Sequence, residues 1–134
     1  MRIFLDTSGL IALSDEKDIN HNRAKAYLKG KVQGGARFVV GKNILAEYID
    51  GVTKRVSKEK AIEELDKIIN SKLLVIESFS ESDWDKALRY FRKYHDHKID
   101  LTDCLSFVIM ERLDLKIAFT FDSDFKTHGF DVLS

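Results

Sequence analysis

Arg2-Ile3-Phe4-Leu5-Asp6, residues 2–6, is the stretch from which the fold can be read. Its apolar residues run continuously rather than alternating, as in a strand buried on both faces of a parallel sheet. An acid follows directly. Three further runs share this character: Phe38 to Val40, Leu73 to Ile76, and Ile117 to Phe121, the last with Asp122 behind it. Helical periodicity fills the intervals. Asn20 to Lys31 places Ala24, Tyr27 and Leu28 on one face, and Ile44, Leu45, Tyr48, Ile49 and Val52 form a second stripe. Ile62, Leu65, Ile68 and Ile69 form a third behind Ser57 as N-cap. Trp84, Ala87, Leu88 and Phe91 form a fourth behind Ser80 or Ser82. Connections this long between strands imply crossovers, hence a three-layer α/β/α sandwich around a mostly parallel sheet. The helix expected from about Leu101 to Leu113 is apolar around almost its whole circumference and should be largely buried.

The whole chain, residues 1–134, reads as a single domain, long enough to bury a core, with 44% hydrophobic residues and no proline. No apolar run approaches the ~20 residues of a membrane span. A charge at Arg2 and Asp6 stands where a secretory signal would need an apolar stretch. The lone Cys104 excludes an internal disulfide framework and fits a reducing compartment, so a soluble cytoplasmic protein with no membrane partner is expected. Lys plus Arg and Asp plus Glu balance at 22 each. That balance neither requires nor excludes a nucleic-acid substrate, because a metal site consumes acids that offset basic residues elsewhere.

Ligands of open α/β sheets bind beyond the carboxyl ends of the strands. Asp6 and Asp122 stand at such ends. Asp103 lies in the first turn of the apolar helix, where the helix N-terminus favours an ionised carboxylate. Glu47 borders the apolar arc of its helix. Each also has an ordinary role open to it. Asp6 and Asp122 fit as helix caps, Asp103 as partner of Asp100 in a capping box, Glu47 as a solvated charge, and Asp124 as cap of a short turn before His128. The set taken together points to a shared site.

Four segments in this order resemble the PIN domain family, in particular its small single-domain VapC toxins. They are Phe4-Leu5-Asp6-Thr7-Ser8, Ile44-Leu45-Ala46-Glu47, Leu101-Thr102-Asp103-Cys104-Leu105 and Thr120-Phe121-Asp122-Ser123-Asp124-Phe125. The resemblance spans essentially the full chain. It implies strand order 3-2-1-4-5, dependence on Mg²⁺ or Mn²⁺, and endonucleolytic hydrolysis of RNA. It also implies a small antitoxin protein as partner and a homodimer. Carried over by position, Asp6, Glu47, Asp103 and Asp122 are the catalytic acids, with Asp124 an accessory. Thr7 or Ser8 is the hydroxyl beside the first acid, and Thr120 the one before the fourth. Cys104 departs from the family's usual alanine.

An all-oxygen donor set suits hard cations and argues for Mg²⁺ or Mn²⁺ over Zn²⁺. Asp6 and Asp103 are expected to contact the principal ion. Asp122 with Asp124 is expected to position a second ion or its waters, and Glu47 to hold a water. For RNA contact, Lys86, Arg89 and Lys93 share one helical face among Tyr90, Phe91 and Tyr94. A solvated face over buried aromatics explains the same pattern, and Lys54, Arg55, Lys58 and Lys60 read as a polar connection. His95 and His97 lack further zinc ligands nearby. Burial should leave the Cys104 thiol inert.

Rival phosphoryl-transfer folds fit less well. A haloacid-dehalogenase pattern needs a second Asp two residues after Asp6, where Ser8 stands. A receiver domain needs an acidic pair ahead of its phosphorylated Asp. Asp122-Ser123-Asp124 matches the Toprim DxD, but Glu47 and Asp103 do not belong to that pattern. A catalytically silent PIN-like domain binding RNA or protein, and an RNA-processing nuclease without an antitoxin, remain the alternatives.

Overall fold

Ile3, Phe4 and Leu5 need apolar cover on both sides, and they receive it at the centre of a five-stranded sheet. In the computed structural model, which describes residues 1–133, this strand is β1 (Arg2–Leu5). The others are β2 (Arg37–Gly41), β3 (Leu74–Glu77), β4 (Ile117–Phe119) and β5 (Asp131–Leu133). Every pairing is parallel and the order is β3-β2-β1-β4-β5. Ile3 stands opposite Phe38, and Phe4 opposite Ala118.

Seven helices connect the described strands: α1 (Thr7–Ser14), α2 (His21–Gln33), α3 (Lys42–Arg55), α4 (Lys58–Asn70), α5 (Glu81–Lys93), α6 (Leu101–Arg112) and α7 (Asp124–His128). They cover both faces. On one, α1 lies against Leu5 and Phe119, and Tyr27 of α2 meets the Phe119 ring edge-on at 5.0 Å. On the other, Phe125 of α7 lies 6.2 Å from the Phe4 ring and 5.1 Å from Phe107 of α6. This is the three-layer sandwich read from the sequence. Residues Asp103 to Met110 of α6 are all buried, which explains why the helix shows no polar face. No helix among the described residues is long and apolar enough to cross a membrane.

Several details differ from expectation. The third strand is displaced by one residue from Leu73–Ile76. The fourth ends at Phe119 rather than Phe121, because Phe121 N donates to Ser8 Oγ (2.9 Å) and Thr120 turns its hydroxyl to Asp6. Ser80 rather than Ser82 caps α5, in a capping box with Asp83, and Ser57 caps α4 as expected. Trp84 and Phe91 face outward, at 39% and 47% exposure, because α5 presents Asp83 and Ala87 to the interior instead. The buried Asp83 is matched by Arg112, whose Nε donates to both its oxygens at 3.0 and 3.2 Å. Ile62 and Ile69 likewise face outward, while Ala61, Glu64 and Ile68 make the inner face of α4.

Gly9 sets how closely α1 approaches the sheet. A Cβ there would stand 2.7 Å from the Phe119 carbonyl oxygen and 2.6 Å from its ring. Gly9→Ala is therefore expected to destabilise the protein by about 1–3 kcal/mol through overpacking against backbone. Urea denaturation checks this, and a loss below about 0.5 kcal/mol would show that α1 can lift away freely.

Candidate metal centre

Asp6 leaves β1 with its backbone N–H donating to the Phe119 carbonyl (3.1 Å), so the ends of β1 and β4 are tied before any side chain acts. Two hydroxyls then complete the join. Thr120 Oγ1 donates to Asp6 Oδ2 at 2.8 Å and accepts from Asp122 N at 3.0 Å. Ser8 Oγ lies 3.2 Å from the same carboxylate oxygen and 3.0 Å from Thr120 Oγ1. Asp6 occupies the N-cap position of α1 without a side-chain cap bond, so its carboxylate is available to this network. The expected hydroxyls thus fall into two groups, Ser8 and Thr120 on Asp6 and Thr7 elsewhere.

Asp103 enters from α6. The expected capping box with Asp100 does not form, since Asp100 makes no side-chain cap bond. Asp103 turns instead toward Asp122 and Asp124, and one oxygen from each of the three lies within 4.8 Å of the others. Asp122 holds the loop by accepting from Asp124 N at 3.0 Å, and the N-cap position of α7 open to it from sequence falls to Ser123 instead. Asp6 is not in this tightest group. Glu47 is exposed on α3 and accepts from Thr7 Oγ1 at 2.6 Å, which links it to the residue next to Asp6.

Burial raises the Asp6 carboxyl above its ordinary range, against the stabilising bonds from Thr120, Thr7 and Ser8, and the Asp122 charge raises it further. Asp103 is pushed up to about 9 by burial first, then by the Asp6 charge, a hydrogen bond to Asp124 and the charges of Asp122 and Asp124. Asp124 is also raised, burial again leading. The ion pairs among the described residues engage other acids, with Arg112 taking Asp83 and Glu77 and Lys67 taking Glu64. Converging carboxylates that repel one another fit a divalent cation, and their all-oxygen donors fit a hard one. Asp103, Asp122 and Asp124 would hold it, with Asp6 adjoining.

Thr120 joins two acids through one hydroxyl. Thr120→Val leaves the buried Asp6 carboxylate and the half-buried Asp122 N–H each short of a partner. A loss of about 1–3 kcal/mol in urea denaturation is expected. Wild-type stability in the variant would mean that the network relaxes without it.

The remaining candidates lie apart from the acids. Lys86 and Arg89 border a groove of about 430 Å³ between α5 and α6, with Tyr90, Val108, Glu111 and Arg112. Val108 and Glu111 stand roughly 8–12 Å along the helix from Asp103 at ~1.5 Å per residue. Lys93 holds its ammonium over the rings of Tyr90 and Tyr94. Lys54 and Arg55 end α3, and Lys58 and Lys60 begin α4. His95 and His97 are exposed, with His97 Nδ1 2.9 Å from Asp96. The Cys104 thiol is buried and pushed up to about 11 by burial and by Asp103, so it is inert as expected.

One supporting residue escapes sequence reading. Asn43 Nδ2 donates to the Thr102 carbonyl and to Ser106 Oγ, both at 3.0 Å, clamping α3 onto α6 beside Asp103. Only its place one helical turn before Glu47 hints at this.

The PIN domain family model matches residues 3–131 of the chain. No curated protein matches it. Among solved structures, the fold is similar to VapC20 of Mycobacterium tuberculosis, named as a sarcin-ricin loop cleaving toxin. The TM-score is 0.86 at 23% identity, over 96% of this chain and 95% of that one. It is similar to VapBC2 of Rickettsia felis bound to a DNA fragment of its promoter, with TM-score 0.74 and 18% identity over 99% and 98%. It is also similar to VapBC-1 of nontypeable Haemophilus influenzae, with TM-score 0.72 and 15% identity over 100% and 98%. At these identities the likeness is one of fold.

Proposed function

The chain belongs to the PIN domain family, and from that premise we propose that it is a Mg²⁺- or Mn²⁺-dependent endoribonuclease, the toxin of a toxin–antitoxin pair. The observation that carries this reading is the convergence of Asp6, Asp103, Asp122 and Asp124 beyond the carboxyl ends of β1 and β4, with two of them buried. Solved structures of this fold include a toxin named for cleaving the sarcin-ricin loop, VapBC assemblies and a toxin–antitoxin complex. They support an antitoxin partner; an RNA substrate, a partner that blocks the acidic site and a cytoplasmic place of action belong to the same reading. A homodimer follows from the resemblance and is part of the same reading.

Asp103, Asp122 and Asp124 hold the cation, and Asp6 adds its charge from the neighbouring strand end. When bound, the cation neutralises charge on the phosphate and acidifies water. Glu47, exposed and held by Thr7, orients the attacking water and takes its proton. Water adds to phosphorus in line with the departing ester oxygen, whose bond breaks and which takes a proton from solvent water, while the proton held by Glu47 returns to solvent. Ser8 and Thr120 keep Asp6 fixed during this. In the same reading, the exposed Lys86, Arg89 and Lys93 meet RNA phosphates away from the cleavage point.

The test is a labelled RNA hairpin incubated with the protein in chelator, in Mg²⁺ and in Mn²⁺. Cleavage only with a divalent cation is expected. An intact hairpin and an intact single strand in all three conditions would overturn the reading.

A further inference from the structure

We propose that His128 is a positioning residue, which from the far end of α7 fixes the depth at which Asp124 meets Asp103. The proposal rests on the reading of the acids as a cation site and concerns a residue outside it.

Helix α7 is a single turn of 5 residues with Asp124 first and His128 last. So short a helix has no stability of its own, and its place is set by whatever holds its ends. Phe125, directly after Asp124, is fully buried against Phe4 and Phe107 and gives the turn a pivot near its start, leaving its tilt to the other end. Gly129, with φ 111°, closes it in the left-handed conformation that glycine adopts without strain.

His128 fixes the far end, with a side chain only 8% exposed. Its ring stacks on Phe107 at 4.3 Å and 10°. Nδ1 lies 2.6 Å from Tyr94 Oη, just beyond the end of α5, and Nε2 lies 3.3 Å from Glu111 Oε1 of α6. Glu111 is itself held by the Tyr90 hydroxyl, 2.9 Å from its other oxygen. Both ring nitrogens are thus engaged, which sets the ring's rotation as well as its depth.

The consequence is geometric. Asp103 and Glu111 belong to one rigid helix, and Asp124 and His128 to one rigid turn. Fixing His128 against Glu111 and Phe107 therefore fixes Asp124 against Asp103. Across one turn of helix, a small tilt at His128 becomes a displacement of the Asp124 carboxylate, to which a cation site is sensitive.

Mn²⁺ binding is measured by isothermal titration calorimetry, beside the thermal midpoint of the metal-free protein. His128→Phe keeps the stack on Phe107 and removes both polar contacts. It is expected to weaken Mn²⁺ binding about tenfold, as loss of groups supporting metal ligands does, with the midpoint little changed. Should that variant fail to fold, Tyr94→Phe with Glu111→Ala strips the same two partners and leaves the imidazole in place. It is expected to weaken binding by a similar factor, about tenfold. Lys126→Ala, on the exposed side of α7, is the control and should bind as the wild type does. Variants that bind Mn²⁺ within twofold of a wild type that binds it would overturn the positioning role alone. A wild type that binds no Mn²⁺ would remove the cation site and this proposal together.

Discussion

Asp103→Asn is expected to lower RNA cleavage on the order of a thousandfold or more while raising the thermal midpoint of the metal-free protein. The two effects have one cause. Asp103 is a buried carboxylate brought close to Asp6, Asp122 and Asp124, and burial with neighbouring charge holds its proton on. That arrangement is unfavourable for the fold without a cation and necessary for gripping one. Asparagine keeps the shape and a hydrogen bond to Asp124 but has no charge to give. Cleavage is followed on a labelled RNA with Mn²⁺, and the midpoint in chelator by circular dichroism. A variant that cuts at the wild-type rate would remove Asp103 from the site. Lost activity with a lowered midpoint would show that the residue serves the fold.

Metal-free stability is expected to fall as pH rises, and Mn²⁺ to restore it. Burial and the neighbouring acids push Asp103 up to about 9 in the folded protein from an ordinary 3.8, so the folded state binds the extra proton between those values. Stability contributed by that proton is complete below about pH 4, declines through the window and is gone above about pH 9. Asp6 and Asp124, also raised, act in the same direction. The decline amounts to a few kcal/mol in order of magnitude. Each tenfold gain in proton affinity is worth about 1.4 kcal/mol, reduced here by the partial exposure and mutual repulsion of the acids. A cation competes with those protons, so its stabilisation grows over the same range. With the cation at about a hundred times its dissociation constant, the gain is about 2.7 kcal/mol. The thermal midpoint with and without Mn²⁺ should therefore separate more widely at pH 8 than at pH 5.5. An equal separation at both would contradict proton-linked binding at these carboxylates.

Continuous apolar runs locate four of the five strands to within one or two residues: β1, β2 and β4 are largely buried and have no polar face to disguise them, while β3 stays apolar although it is an edge strand with Val75 49% exposed. The fifth, Asp131–Leu133, is only three residues long and half-exposed at the sheet edge, too short for periodicity to register. The outward turn of Trp84 and Phe91 is hidden for a related reason. Hydrophobicity alone marks the stripe, while the buried side of α5 is organised around an Asp83–Arg112 pair distant in sequence.

The acids are legible because strand ends and helix starts are recognisable locally. Their mutual arrangement is not: sequence points to Asp6 and Asp103 as the principal pair, and in the structure the tightest group of carboxylate oxygens is Asp103 with Asp122 and Asp124, with Asp6 bonded to Thr120 and Ser8. Which oxygens converge depends on side-chain hydrogen bonds between residues at opposite ends of the chain, such as Ser8 and Thr120. Sequence spacing carries no record of them.

The most direct test is anomalous diffraction at the manganese edge from crystals soaked in Mn²⁺. A peak bonded to carboxylate oxygens of Asp103 and of Asp122 or Asp124, beside Asp6, is the predicted result. A well-ordered site with no manganese at these four carboxylates, or manganese bound only elsewhere on the chain, would contradict it.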